Sequence, residues 1–429
     1  MAKPAKPYRK REIEGHPLKP ESLAMGYGFD PFMSEGSIKP PIFMTSTFAF
    51  KSAADGEALF RRMRGEMQDG DPEDADLIYT RFNNPSMEVL EDRLTLHDVG
   101  EAALVFSSGM GAITTSLLAC AEVGTTILHT SPIYGASEVF IRTYMPSVGV
   151  KSFEMDAWSS EDQILAAARK AAAEGPLSVI YTESPANPTN ALVDIAACAR
   201  VRDLIEAETG RRPVLMCDNT MMGPVGHQPI EHGADLALYS LTKYIGGHSD
   251  LIAGGAVGSD DIIDKIRKTR NFLGTTLDAH TCWLLTRSLE TVVLRMEKAF
   301  HNARVCADFL NDHPKITQVM YPGFLKDGDP QKKIYDEQCK AAGSTFSFDV
   351  AGGKDAAFRL LDSLKLVKLA VSLGGTESLM CHPGSTTHSG VPVDVRERIG
   401  FTDGLVRFSV GIEAAEDLVA DLKQALDKV

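Results

Sequence analysis

Lys243 stands in the stretch "SLTKYIGGHSD", directly after the apolar run "ADLALY". Ser240 and Thr242 put two hydroxyls within three residues of its amine. Such an amine can help to bind an anion. With its pKa lowered by apolar or cationic neighbours, it can also attack a carbonyl. Alone, the stretch reads equally well as the solvated end of a strand.

Asp218 lies 25 residues earlier (243 − 218), after the apolar run "PVLMC". A carboxylate placed there is expected to be partly buried and so needs a cationic or hydrogen-bonding partner. Earlier still, "ALVF" runs into "SSGMGAITTSLLAC". Glycines at the start of a helix let backbone N–H groups approach an anion, and the helix dipole favours negative charge there. Taken singly, each fragment is also an ordinary strand–helix turn. Taken together, they offer an anion seat, a carboxylate and a lysine at strand ends. Pyridoxal phosphate (PLP) asks for that set: a phosphate cradle, an Asp for the ring nitrogen and a Lys for the aldehyde.

The elements that must hold these groups follow from periodicity. "GTTILHT", "LSVIYTES", "PVLMCDN" and "ADLALYS" read as buried strands, while 159–174 and 194–210 read as capped amphipathic helices. Strand–helix alternation predicts an α/β fold with a mostly parallel central sheet covered by helices on both faces. Ligands of such sheets sit at the carboxyl ends of the strands. From residue 285 a long helical stretch, reaching from Thr281 to His313, leads into a smaller α/β domain with "AGSTFSFDV" as a strand. Residues 1–78 read as an extended arm that makes oligomer contacts, 79–284 as the cofactor domain and 285–429 as the C-terminal domain. Residues 64–76 form an acidic loop that could line an entrance.

The chain has 429 residues, more than one compact core holds, and a formal charge of −14. That balance argues against nucleic-acid and membrane-surface partners, both of which are anionic. No apolar run is long enough to span a bilayer. Seven scattered cysteines without a CxxC argue against a disulfide framework or a zinc site. No metal is expected, and a cytoplasmic location is.

"DNT" followed by "SLTKYIGGHSDLIAGGAVG" resembles the PLP-binding segment of the Cys/Met-metabolism enzymes. This family includes cystathionine γ-synthases, cystathionine lyases, methionine γ-lyases and O-acylhomoserine sulfhydrylases. The resemblance extends through "YTRFNNPS", "SSGMGAI", "YGAS", "ESPANPT", "SLGGTESLMCHP" and "LVRFSVGIE". It implies the aspartate-aminotransferase-like architecture (fold type I), with Lys243 as the Schiff-base lysine. Gly109 and Met110 would offer backbone N–H groups to the phosphate, and Ser240 and Thr242 their hydroxyls. Tyr79 and Arg81 would reach the phosphate of a neighbouring subunit's cofactor, making a homotetramer of dimers with shared sites. Tyr134 would stack on the ring and accept the proton of the incoming amine, and Asp218 would pair with the ring nitrogen. Arg407, the backbone near Ser372 and the Asn187 side chain would hold the substrate carboxylate. Ser107, Ser108, Glu183 and His248 read as structural.

The resemblance further implies γ-elimination or γ-replacement on methionine, homocysteine or an O-acylhomoserine. Cystathionine enzymes carry a Glu before their Ser-Leu-Gly motif, where this chain has Val371. Methionine γ-lyases commonly have a Cys where this chain has Ala136. Cystathionine γ-synthase or γ-lyase is the second reading, and a weakly catalytic PLP-binding regulator is a more distant one.

Overall fold

The computed structural model describes residues 7–68, 71, 77–390, 396 and 398–429. Most of the acidic stretch within 64–76 lies outside the described residues. The chain forms α1 (Ala53–Arg64), α2 (Pro85–Asp98), β1 (Ala102–Phe106), α3 (Gly109–Cys120), β2 (Thr126–Ser131), β3 (Lys151–Asp156), α4 (Glu161–Ala173) and β4 (Leu177–Glu183). It continues through α5 (Ile195–Thr209), β5 (Val214–Asp218), β6 (Leu236–Ser240), β7 (Gly254–Gly258), α6 (Asp260–Leu273), α7 (Ala279–Leu289) and α8 (Val292–Asn311).

Strands β1 to β7 make one seven-stranded sheet in the order β1-β7-β6-β5-β4-β2-β3. Strand β7 runs antiparallel to both neighbours, and the other pairings are parallel. Alternate residues of the central strands enter cores on opposite faces. Val179 and Tyr181 join Leu104, Phe106 and Met216 on one side. Ile180 joins Leu128, Leu215 and Cys217 on the other. Burial on both faces explains why these strands are apolar throughout rather than alternating.

A second, five-stranded sheet comprises β8 (Ile316–Met320), β9 (Thr345–Val350), β10 (Lys368–Leu369), β11 (Leu379–Cys381) and β12 (Leu405–Ser409). Its order is β8-β9-β12-β11-β10. Helices α9 (Gly353–Ser363) and α10 (Ala415–Leu426) contribute Leu360, Leu418 and Leu422 to a core shared with Phe346, Phe348 and Phe408.

Two local features refine the sequence reading. The helical stretch from Thr281 to His313 falls into two helices, α7 and α8. Helix α7 ends in tight turns, with Glu290 N–H donating to the Arg287 carbonyl and Thr291 N–H to the Ser288 carbonyl. The Arg295 guanidinium donates to the Ser288 carbonyl at 2.9 Å as well, so the freed acceptor at the break is satisfied. The N-terminal segment also holds a regular helix, α1. Ser52 caps it by accepting from Asp55 N–H, and Gly65 stops it at φ 75°.

Helix α2 is tied to the sheet by a buried ion pair. Arg270 is fully buried and donates to Glu91 Oε1 at 2.8 Å and to the Val105 carbonyl at 2.9 Å. It also reaches the Phe82 carbonyl, which places the Tyr79–Phe82 segment against α6.

Candidate active site

The carboxyl ends of β1, β4, β5 and β6 meet at one edge of the large sheet. Glu183 and Asp218 are register partners in the β4–β5 ladder, and Asp218 pairs in turn with Leu238 of β6. Ser240 closes β6, and Lys243 follows three residues later. The antiparallel strand β7 begins at Gly254, paired with both Phe106 and Ser240. That pairing brings the loop opening α3 against the end of β6. A Cβ on Gly109 would lie 2.9 Å from the Ser240 Cβ, so only glycine lets the two backbones come this close.

Helix α3 is capped by Ser108, whose hydroxyl accepts from Gly111 N–H at 2.9 Å. The first-turn N–H groups of Gly109 and Met110 have no intrahelical acceptor and point out of the helix end. Ser240 N–H donates to Thr220 Oγ1 at 2.9 Å, and among the described residues no side-chain bond engages the Ser240 hydroxyl. Thr242 is differently placed. Its hydroxyl accepts from Ala253 N–H at 3.0 Å and donates to the Ala253 carbonyl at 3.3 Å. To serve a phosphate it would have to rotate away from that carbonyl.

The Asp218 carboxylate is buried, and its Oδ1 accepts from Thr220 N–H at 3.0 Å and Thr220 Oγ1 at 2.6 Å. Among the described residues no cation pairs with it. Burial raises its pKa, and the two Thr220 bonds oppose that rise. The buried Tyr181 hydroxyl nearby opposes that rise as well. A protonated aromatic nitrogen would answer the unpaired carboxylate.

Lys243 Nζ donates to Ser372 Oγ at 2.9 Å. Burial, and then the positive charge of Arg407, bring its pKa down from 10.5 to about 8. Arg407 is buried on β12. It donates to Asn187 Oδ1 at 3.2 Å, the Val371 carbonyl at 2.6 Å and the Ser372 carbonyl at 3.2 Å. Strand β12 and the segment between β10 and β11 therefore bring a guanidinium and a hydroxyl to the amine that follows β6. Gly374, at φ 72°, sits where a side chain would strike Tyr244 N, so the Ser372–Gly374 segment packs directly on the lysine loop.

Tyr134 begins the short helix Gly135–Val139, and its ring is 41% exposed. Tyr79 is also 41% exposed. Arg81 lies over the Phe82 ring and donates to the Asn271 carbonyl at 2.5 Å. Among the described residues, neither Tyr79 nor Arg81 bonds to the Lys243 group within the same chain. Val371 is half exposed and lines a cleft of about 260 Å³ with Phe358, Leu369, His382 and Thr386.

From the sequence Glu183 reads as structural and Thr220 has no assigned role, yet both hold candidate site residues. Thr220 fixes Asp218, and Glu183 accepts backbone N–H bonds from Tyr134 and Asn187. The signal for Glu183 was the one used for Asp218, a carboxylate closing an apolar strand.

The residues fit PLP. The glycine-lined helix end suits a phosphate, the unpaired buried Asp218 suits a ring nitrogen, and the depressed Lys243 amine suits an aldehyde. Known proteins agree. The chain is 38% identical over 396 residues to the L-methionine gamma-lyase of Fusobacterium nucleatum, covering 92% of this chain and 94% of that one. It is 33% identical to Cystathionine gamma-synthase 1, chloroplastic, of Arabidopsis thaliana, covering 92% of this chain and 66% of that one. The crystal structure of metB from Corynebacterium glutamicum superposes with a TM-score of 0.83 at 31% identity, covering 96% and 98% of the two chains. The crystal structure of cystathionine gamma-lyase from Lactobacillus plantarum, complexed with L-serine, gives 0.84 at 29%, covering 96% and 99%. Residues 22–427 match the family model for the Cys/Met metabolism PLP-dependent enzymes, and with its lysine, carboxylate and anion seat in place the chain belongs to that family.

Proposed function

We propose that this enzyme catalyses γ-elimination or γ-replacement on a sulfur amino acid or a homoserine ester, in the manner of a methionine γ-lyase or an O-acylhomoserine sulfhydrylase. The observation that carries this reading is the meeting of Lys243 Nζ, Ser372 Oγ and the Arg407–Asn187 fork. PLP, when bound, supplies an electron sink that stabilises negative charge at the substrate α-carbon. Gly109, Met110 and Ser240 would hold its phosphate, Asp218 its ring nitrogen and Tyr134 the ring face. Thr242 would join the phosphate contacts after turning its hydroxyl.

Arg407 and Asn187 grip the substrate carboxylate and so orient the α-carbon. Tyr134, at the open side of the site, accepts a proton from the substrate amine. Lys243 works as the base for the protons at Cα and Cβ. An amine with a pKa near 8 is partly neutral at physiological pH, where an ordinary lysine is almost wholly charged. Ser372 holds that amine on the side of the carboxylate fork.

Val371 places an apolar side chain where the distal half of the substrate would lie. This favours a thioether or ester over a distal ammonium. The similarity to the Arabidopsis cystathionine gamma-synthase supports that activity as the second reading.

Tyr79 and Arg81 would complete a neighbouring subunit's site in a homotetramer. Exposed Phe32 (89%), Ile38 (78%) and Phe272 (89%) support such burial between copies. The division at 1–78, 79–284 and 285–429 remains the proposed domain plan. No described helix is long and apolar enough to cross a membrane. A cytoplasmic location is supported by the free state of all seven cysteines.

The test is a product assay against methionine, cystathionine, O-acetylhomoserine and O-succinylhomoserine, each with and without a thiol. Borohydride treatment of the yellow protein should fix the cofactor to Lys243. Attachment to another lysine, or turnover of none of these substrates, overturns the reading.

A further inference from the structure

Glu183 is shielded from solvent beside Asp218, and no cation among the described residues pairs with it. Its side chain is buried at the end of β4, opposite Asp218 in the ladder. Oε2 accepts from Tyr134 N–H at 2.6 Å, and Oε1 accepts from Asn187 N–H at 2.9 Å. These two backbones belong to different loops, one after β2 and one after β4. Tyr134 carries the ring-stacking side chain, and Asn187 carries the oxygen that receives Arg407. No other described side chain bonds to both.

Resting on the function proposed above, we propose that Glu183 is a positioning residue that couples the two halves of the site. Its single carboxylate sets the Tyr134 backbone with one oxygen and the Asn187 backbone with the other. Ring stacking and substrate-carboxylate binding are thereby held in one geometry.

A bare core acid has no reason to sit here. Burial, and then the charge of Asp218, push the Glu183 pKa upward, so the position disfavours an ionised group. The two backbone donors oppose that rise. An apolar residue would escape the penalty but would leave two buried N–H groups unpaired. Glutamine keeps the shape but presents one N–H₂ to a backbone N–H, so it can satisfy one loop and not both.

The experiment compares wild type, Glu183→Gln and Glu183→Asp as PLP-loaded proteins. Visible circular dichroism of the bound cofactor reports the ring environment. KM and kcat, on whichever amino acid the wild type turns over best, report substrate binding. Glu183→Gln should change the visible dichroism and raise KM about tenfold, with a smaller change in kcat, because one of the two buried backbone N–H groups loses its acceptor. Glu183→Asp keeps both carboxyl oxygens but is one methylene shorter, and should fall between Gln and wild type. Unchanged dichroism and unchanged KM in a folded Glu183→Gln protein overturn the proposal. So does a loss of folding in both variants, since the carboxylate would then serve the core alone. If the wild type binds no PLP or turns over no amino acid, the functional reading has failed instead, and that outcome is visible before any variant is compared.

Discussion

The Lys243 amine donates a 2.9 Å hydrogen bond to the hydroxyl of Ser372, which lies 129 residues later in the chain, between strands β10 and β11 of the five-stranded sheet. That bond ties the loop after β6 to the segment between β10 and β11. Further bonds join segments of the two sheets nearby. Arg407 reaches Asn187, Asn190 Nδ2 donates to the Thr345 carbonyl at 2.7 Å, and Ser347 Oγ donates to the Pro188 carbonyl at 2.7 Å. The loop after β4 is one place where the two sheets' segments are joined, and Tyr244 beside Lys243 is another, its hydroxyl lying 2.9 Å from those of Ser344 and Thr345.

The depressed pKa of Lys243 makes the capture of PLP by the cofactor-free protein depend on pH. Only the neutral amine attacks the aldehyde. With a pKa of about 8, roughly one amine in ten is neutral at pH 7, against about one in 3,000 for an ordinary lysine. The capture rate should climb about tenfold per pH unit below about 8 and level off above it. Stopped-flow absorbance over pH 6–10 reads this directly, and a rate still climbing at pH 10 would show that the amine is not depressed.

Shared sites should reveal themselves by complementation. Arg81→Ala and Lys243→Ala are each expected to be nearly inactive. Mixed under conditions of subunit exchange, they should form some sites with both residues intact, restoring up to about a quarter of wild-type activity if partners pair at random. Exchange proven by mass spectrometry, with no recovery, would place Arg81 outside the neighbour's site.

Val371→Glu should move specificity towards cystathionine. A carboxylate there could pair with the distal ammonium, whereas the apolar residue leaves that charge without a partner. One such pair is worth about 1–3 kcal/mol, so the ratio of kcat/KM values should shift tenfold to a hundredfold. A constant ratio, or a wild type that already prefers cystathionine, removes this position from the specificity argument.

The Glu91–Arg270 pair supplies a stability prediction independent of chemistry. Arg270 is fully buried, and Glu91 also accepts from Val105 N–H at 3.1 Å. Glu91→Ala should cost about 3–5 kcal/mol, because it strands a buried guanidinium. Glu91→Gln retains an acceptor for one partner and should cost less. Urea unfolding of both variants gives the order, and equal losses would show that packing, not pairing, matters there.

Much of the frame was legible from local sequence. Buried strands declare themselves as continuous apolar runs, because both faces of the parallel sheet are covered, and so Asp218 and Lys243 could be read as strand-end groups before any coordinates. Ser108 and the glycines after it carried their own cap signal. Other features depend on contacts between distant segments. The break at Glu290–Thr291 has no Pro or Gly to announce it and is stabilised by Arg295 reaching back to the Ser288 carbonyl. The Arg407–Asn187 contact spans 220 residues. Glu183 looked like any acid closing a strand, until two loops brought their backbone N–H groups onto it. Periodicity records which face of an element is buried, so the sequence by itself determined the sheet and the groups at its edge. Which groups share a hydrogen bond depends on how separate loops pack, and only the tertiary structure decided that.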